Sequence, residues 1–306
     1  MPRSLRTFCF GRYAVDLPAS ACLLDAGNQY QGFHIAVEAM SPEQFRQLLV
    51  RREATLRARK VGGRAVYVEA RYARDPAMRL LLSAAERENE VELGVDTFRY
   101  MAEGYAFTTH AAGVPTGELM QTLARFERYL AALRYRARNA APAGAGFCFD
   151  HGVVLDAADK PQQEHADLRF SLPAQPGLQW QFESDVLSDA APSLIERFKH
   201  SSLADLGTQN LRVLRQRARA VNGLVGEEIA LRLPATATRA ARYMFTWEAP
   251  GTPHAVGAPR LRFEMNSGGA YDLAAPTEWS EAEALQCFDD VLGGLRALNA
   301  ATEVAL

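Results

Sequence analysis

The tightest constraint on this chain is an order of patterned segments that occurs twice, each time opening on the same three residues: Phe8-Cys9-Phe10 and Phe147-Cys148-Phe149. In the first pass the aromatic and β-branched run Phe8–Pro18 reads as a strand closed by Pro18. Phe33, Ile35 and Val37 then alternate with polar or small residues at period two, as in a second strand. Ser41-Pro42-Glu43-Gln44 announces a helix, with Ser41 as cap, Pro42 at the tolerated first position and Gln44 completing a capping box. That helix directs Phe45, Leu48, Leu49 and Leu56 at a core and is expected to stop near Gly62-Gly63. Extended segments follow at 64–72, 91–99 and 100–109, the last two broken at Glu103-Gly104. Leu119, Leu123, Phe126, Leu130 and Leu133 recur at spacings of four and three, so 117–136 is predicted to be helical throughout.

After Asn139–Gly146, a small, uncharged stretch that reads as a linker, the programme restarts. Alternation at Leu168, Phe170, Leu172 and at Leu178, Trp180, Phe182 predicts two strands. Helices are expected over 192–199 and 203–219, then strands over 227–232, 241–248 and 260–266. A closing helix is capped by Ser280 with Glu283 three residues on, and it carries Leu285, Phe288, Leu292 and Leu295. The expected fold class is therefore α+β: two lobes, each a mainly antiparallel sheet with helices packed on one face, related as a pseudo-repeat. Short turns rather than helical crossovers join the consecutive strands, which favours antiparallel meanders. The expected domains are 1–140, an N-terminal α+β domain, and 146–306, a C-terminal one.

The 306 residues exceed the usual size of one hydrophobic core, and 48% hydrophobic with 23% charged residues is a globular composition. A formal net charge of -2 gives no global field to recruit nucleic acid or an anionic membrane. No apolar run approaches the roughly 20 residues of a membrane-spanning helix, and no export signal precedes Phe8. Cys9, Cys22, Cys148 and Cys287 show no CxxC spacing, so they are read as small buried apolar residues. A disulfide such as Cys9–Cys22 stays open for an oxidising compartment.

Motifs that carry chemistry are missing from the sequence. It has no G-x-S-x-G, H-E-x-x-H, G-x-x-x-x-G-K-[ST] or G-x-G-x-x-G. The six histidines, His34, His110, His151, His165, His200 and His254, never stand three or four apart, so no helix face offers paired metal ligands. Asp150-His151 beside Cys148 resembles a catalytic pair only on paper, because the alternation of a strand points Cys148 and His151 to opposite faces. Gly144-Ala145-Gly146 precedes a strand, whereas a phosphate loop must lead into a helix. Two arginine-rich stretches, Arg51, Arg52, Arg57, Arg59, Lys60, Arg64 and Arg212, Arg215, Arg217, Arg219, read as solvated helix faces, with a basic patch for an acidic protein partner as the alternative. Glu86–Glu90 and Thr252–Pro259 read as exposed connecting loops. Accordingly no catalytic, cofactor or metal residue is assigned, and no contact residue either.

The opening Phe8-Cys9-Phe10-Gly11-Arg12-Tyr13 with Val15-Asp16-Leu17-Pro18, and Gly146-Phe147-Cys148-Phe149 at the head of the second half, resemble the two-domain immunity proteins that neutralise lipase effectors of the bacterial type VI secretion system. That resemblance covers nearly the whole chain in layout, with the two strand motifs as its anchors. It implies a non-enzymatic protein with no cofactor, monomeric alone and heterodimeric with its effector. Such a protein grips a phospholipase, blocks substrate entry and acts in the periplasm; with no export signal read before Phe8, either a leader has been removed or the cytoplasm is the alternative compartment. An inhibitor needs complementary surface rather than a set of titrating groups, so an empty motif search is what it predicts. The competing readings are an enzyme using Asp150, His151 or the His254 loop, and a non-catalytic adaptor of an envelope assembly. On the favoured reading, contact surface is expected on the loops and in the cleft between lobes, with Cys9 and Cys148 as packing positions.

Overall fold

Each half of the chain builds the same strand order, and the computed structural model shows how. It describes residues 4–61, 64–65, 67–72, 77–87, 90–138, 140, 144–156, 162–173, 175–201, 211–235, 241–267 and 279–298. The first half runs β1 (Leu5–Phe10), β2 (Tyr13–Pro18), β3 (Cys22–Tyr30), β4 (Ile35–Ala39), α1 (Pro42–Ala58), β5 (Lys60–Val61), β6 (Arg64–Ala65), β7 (Tyr67–Tyr72), β8 (Met78–Arg87), β9 (Glu90–Met101), β10 (Tyr105–Pro115), α2 (Leu119–Ala132) and β11 (Leu133–Tyr135). The second runs β12 (Phe147–Phe149), β13 (Gly152–Val154), β14 (Glu164–Leu172), β15 (Gln175–Asp185), α3 (Leu194–Lys199), β16 (Arg212–Val221), β17 (Leu224–Leu233), β18 (Arg242–Ala249), β19 (Arg260–Ser267), α4 (Glu281–Gly293) and β20 (Arg296–Ala297). One sheet is ordered β4-β10-β9-β8-β7 and the other contains β15-β19-β18-β17-β16, the same order element for element. The α+β class with antiparallel sheets is therefore what the chain adopts, and the pseudo-repeat extends from element order to strand neighbours.

In space the halves exchange pieces. One compact unit holds residues 1–31, 138–150 and 156–306; the other holds 32–137 and 151–155. The chain's first three strands thus join the unit that holds most of the second half. Backbone ladders cause this. β3 extends the seven-stranded sheet by pairing with β14, from Cys22↔Ser171 to Tyr30↔Glu164. β2 pairs with β20 through Tyr13↔Ala297 and Ala14↔Arg296. In the smaller unit β11 takes β13 as its partner, Leu133↔Val154 to Tyr135↔Gly152. Each half's last strand thus pairs with the other half's opening hairpin.

The larger unit buries an aromatic row on one face of its sheet. Phe182, Phe263 and Phe288 stack in sequence, with ring centroids 4.6 and 5.0 Å apart, and Phe245 meets Phe288 edge-on at 5.5 Å. Phe288 is how α4 enters this row, and all four rings are fully buried. The opening hairpin covers the same apolar row, with Phe8 at 4.7 Å from Phe170 and Phe10 at 5.7 Å from Phe182. α3 supplies Leu194, Ile195 and Phe198 to a smaller cluster on Leu211, Ile229 and Leu231. Because β17 alternates, Ile229 and Leu231 face away from Ala230, so α3 and α4 lie on opposite faces.

In the smaller unit α1 sets Phe45 and Leu56 on Leu81, Phe98 and Ala106. On the other side of the same strands Leu80, Leu82, Val95, Phe107 and Ile35 are also buried. Helices on one face of each sheet is thus too simple an arrangement, because both faces carry buried apolar rows. α2 packs Phe126 and Tyr129 against Phe33, at 4.8 and 5.2 Å.

Both capping boxes form as the sequence predicts. Gln44 N donates to Ser41 Oγ at 3.2 Å, and Ser41 N donates back to Gln44 Oε1 at 2.7 Å. Glu283 N and Ser280 N make the equivalent exchange at 3.3 and 2.8 Å. Other expectations are corrected. Phe8–Pro18 is a hairpin, because Gly11 adopts φ +53° and reverses the chain. The 117–136 helix stops at Ala132, and Leu133 continues its spacing as the first residue of a strand. α1 ends at Ala58; Gly62-Gly63 lie outside the described residues. β3 and β8 had not been anticipated. Among the described residues no helix is long and apolar enough to cross a membrane.

The predicted helix 203–219 is overturned where it is described, since Arg212–Val221 is a strand; 202–210 lie outside the described residues. Arg212, Arg215 and Arg219 stand three and four apart, which mimics a helical stripe. In fact a bulge between Val213 and Arg215 adds one residue, bringing Arg212 to the same face as Arg215, Arg217 and Arg219. Asn222-Gly223, both at positive φ (47° and 84°), form the tight turn into β17.

Candidate functional site

Four clusters of charged side chains stand out among the described residues, and in each the charges are largely answered from within the protein. The first is buried in the larger unit. Arg12, held in the turn between β1 and β2, donates from Nε and Nη2 to Glu164 at 2.9 and 2.7 Å, and also reaches Asp156. Tyr30 Oη donates to Asp156, and Gln162 Nε2 donates to both carboxylates. Burial pushes the Glu164 carboxyl up, and the hydrogen bond from Arg12 only partly reverses this. Burial acts on Asp156 in the same sense, but Tyr30 and Arg12 outweigh it and hold Asp156 below its ordinary value. Burial also pushes the Tyr13 hydroxyl up to about 12.

The second cluster is the arginine row of β16. Glu228 has no exposed surface and receives Arg217 at 3.1 Å and Arg219 at 2.5 Å, with Arg215 at 3.4 Å. Asp289 of α4 receives Arg215 at 2.7 and 3.0 Å and Arg219 at 2.6 Å. Glu281, at the start of α4, accepts from Arg212 and Arg232 at 2.7 and 3.1 Å. This row is not the solvated helix face expected from sequence. It is an ion-pair ladder that fastens α4 to an edge strand, and charged edge strands resist edge-to-edge association.

Strands β14, β15 and β19 carry the third cluster on the face opposite the aromatic row. His165 lies 3.2 Å from Asp167 and 3.6 Å from Asp185, and the carboxylates raise its pKa, the Asp167 hydrogen bond most. His165, Glu183 and Asp185 each offer a ligand atom within 4.8 Å of the others. Arg260 already bridges the two carboxylates, at 2.5 Å from Glu183 and 3.2 Å from Asp185, so the arrangement is an ion-pair network.

The fourth cluster sits in the smaller unit beside a hollow of about 650 Å³ lined by residues including His34, Glu38, Arg52, Asp96 and His110. Asp96, 5% exposed, accepts from Arg52 of α1 at 2.8 and 3.2 Å and lies 2.6 Å from His110 Nδ1. Burial pushes Asp96 up, but His110 and Arg52 together hold it below its ordinary value. Arg52, of the first arginine stretch, therefore has a fixed partner on β9, and Arg57 makes a helical pair with Glu53 at 2.7 Å.

The residues named from sequence as an alternative catalytic set do not converge. Asp150 is held by Arg138 at 2.8 and 2.7 Å. His151 occupies the turn between β12 and β13 at φ +56°, and its ring stacks on Tyr105 at 4.4 Å. A turn, rather than strand alternation, separates it from Cys148. His254 also has positive φ (59°), in a loop tied by Thr252 N to Ala258 O at 2.8 Å and His254 N to Leu187 O at 2.8 Å. Residues 88–89 of the acidic turn lie outside the described residues, as do 139 and 141–143 of the linker.

The sequence also missed the pairing of the cysteines: Cys9 is bonded to Cys148, while Cys22 is exposed and not disulfide-bonded. The clue was present in the repeat, since two identical strands in equivalent positions are natural neighbours.

The model of the Tle cognate immunity protein 4 N-terminal domain matches residues 6–136, and that of its C-terminal domain matches residues 140–299. Among solved structures, the fold is similar to the apo structure of the type VI secretion immunity protein TplEi from Pseudomonas aeruginosa, with TM-score 0.86 and 23% identity over 97% of this chain and 98% of that one. The crystal structure of the Tle4–Tli4 complex contains a chain similar at TM-score 0.85 and 23% identity, over 97% and 98%. TplEi complexed with "L" peptide is similar at TM-score 0.79 and 23% identity, over 96% and 98%. No curated protein sequence matches. With both domain models in consecutive order along it, the chain belongs to the Tle cognate immunity protein 4 family.

Proposed function

We propose that this protein binds a type VI secretion lipase effector and inhibits it by blocking access of substrate, without catalysis of its own and in the periplasm. The observation that carries this reading is the consecutive match of the two immunity-protein domain models over 6–136 and 140–299. The fold likeness to a chain of the Tle4–Tli4 complex supports a protein partner of that class. Inhibition of this kind asks nothing of titrating groups. The clusters around Asp96, Glu164, Glu228 and Glu183 are correspondingly committed to internal ion pairs. Protection of a cell needs affinity on the order of nanomolar, roughly 12 kcal/mol, which in turn needs a contact surface of standard size, roughly 800 Å² per partner.

The test is co-expression with a type VI secretion lipase effector from the same genome, followed by purification and a phospholipid hydrolysis assay. A one-to-one complex in which hydrolysis falls to background is expected. Free migration of the two proteins, with hydrolysis unchanged at equimolar inhibitor, would overturn the proposal.

A further inference from the structure

The two cysteines of the repeated motif are bonded to each other across a sequence separation of 139 residues, with Cα atoms 5.8 Å apart. Cys148 is 0% and Cys9 4% exposed, and Cys148 N donates to Gly11 O at 2.6 Å, so the bond lies buried beside the turn of the opening hairpin. We infer that Cys9–Cys148 is a redox-dependent staple that ties the folded population of this protein to an oxidising compartment. It extends the periplasmic placement proposed above but stands on the bond and its surroundings, whatever the effector.

Three features carry it. The bond closes the loop that contains residues 32–137, almost all of the smaller unit, and long loops are the ones whose closure most restricts the unfolded chain. Among the described residues the hairpin's backbone bonds beyond its own ladder are few: β2 meets β20 over two residues, with Leu298 N to Arg12 O, Asp16 N to Gly294 O and Cys148 N to Gly11 O beside them. Finally, the pair is enclosed. Cys9 and Cys148 form one buried cluster with Ala14, and the part-buried Leu298 packs against it. Two thiol sulfurs need van der Waals separation where a disulfide holds them bonded, so they part only by displacing these neighbours. Reduction therefore removes a constraint and disturbs packing at once.

Forming the staple takes one hydrogen from each thiol. Cys9 and Cys148 lose two protons and two electrons, and a disulfide-donating oxidoreductase is reduced from disulfide to dithiol by thiol–disulfide exchange. A reducing cytoplasm opposes that step, so newly made chain there stays in the less stable dithiol form.

The experiment uses the full chain, oxidised and after treatment with a phosphine reductant. Thiol titration in denaturant should find two thiols, Cys22 and Cys287, before reduction and all four cysteines after it. The melting temperature should fall by on the order of 10 °C on reduction. A Cys9→Ala/Cys148→Ala double variant should melt low and ignore reductant, whereas Cys22→Ser should keep the full response. Should the double variant fail to fold, reduction of the wild type decides alone. Oxidised and reduced melts within about 2 °C of each other, or four titratable thiols in protein recovered from an oxidising compartment, would overturn the inference. Neither readout involves the lipase, so failure here is distinct from failure of the proposed inhibition.

Discussion

Arg12 and Glu164, 152 residues apart in sequence, form a two-pronged buried ion pair at 2.9 and 2.7 Å. Arg12 belongs to the opening hairpin and Glu164 to the first residue of β14, so the pair fixes the exchanged hairpin to the sheet it covers. Replacing Arg12 by Met strands a carboxylate that is 6% exposed, with Asp156 beside it. Breaking one side of such a pair costs about 3–5 kcal/mol. Urea unfolding of Arg12→Met should show that loss at pH 7. It should recover part of it in an Arg12→Met/Glu164→Gln double variant, which removes the orphaned charge.

Asp96 gives the smaller unit its acid sensitivity. Its folded pKa lies below the ordinary 3.8, so its contribution is present above that value and is lost as pH falls through the lower folded pKa. An Asp96→Asn variant, which keeps the shape but weakens the bonds to Arg52 and His110, should be about 1–3 kcal/mol less stable than wild type at pH 7. Melting curves taken between pH 7 and pH 2.5 should show the two proteins converging at the acid end. A gap that stays constant across that range would contradict the assignment.

Phe263 is the middle ring of the Phe182–Phe263–Phe288 stack and is fully buried. Truncation to Ala opens a cavity where β15, β19 and α4 meet, for a loss of about 3–5 kcal/mol. Phe263→Leu, which keeps most of the volume, should cost less than half as much in the same denaturation assay.

Gly251 stands at φ +72°, and a Cβ there would lie 2.4 Å from Arg260 N and 2.6 Å from Pro259 C. Both contacts are backbone, so no rotamer change relieves them. Gly251→Ala should therefore unfold at lower denaturant than wild type, by at least the roughly 1 kcal/mol that a left-handed non-glycine residue costs. Gly257→Ala, with open space around the added methyl, serves as the control near wild-type stability.

Several elements could be read because their causes are local. Ser41 with Gln44 and Ser280 with Glu283 form capping boxes from residues three apart, so no distant contact was needed to predict them. The alternation at Leu168–Leu172 and Leu178–Phe182 likewise reports one buried face of one sheet. The failures share a cause as well. Leu133 continued a helical spacing yet was claimed by a partner strand, and Arg212, Arg215 and Arg219 mimicked a helix because a bulge had inserted a residue. The Asn222-Gly223 turn between Val221 and Leu224 was the local signal that argued for a hairpin there.

By itself the sequence determined that one α+β programme is used twice, where the two helices with capping boxes begin, and, through the Phe-Cys-Phe motif, the family to which the layout points. Tertiary structure alone decided which half each opening hairpin joins, that Cys9 meets Cys148 rather than Cys22, and that the arginines of β16 answer Glu228 and Asp289. The physical reason is range. Caps and alternation act over a few residues of one chain segment, whereas strand partnership and buried ion pairs are settled by which apolar faces and backbone edges meet after collapse, here across 152 residues for Arg12 and Glu164 and still more for β2 and β20.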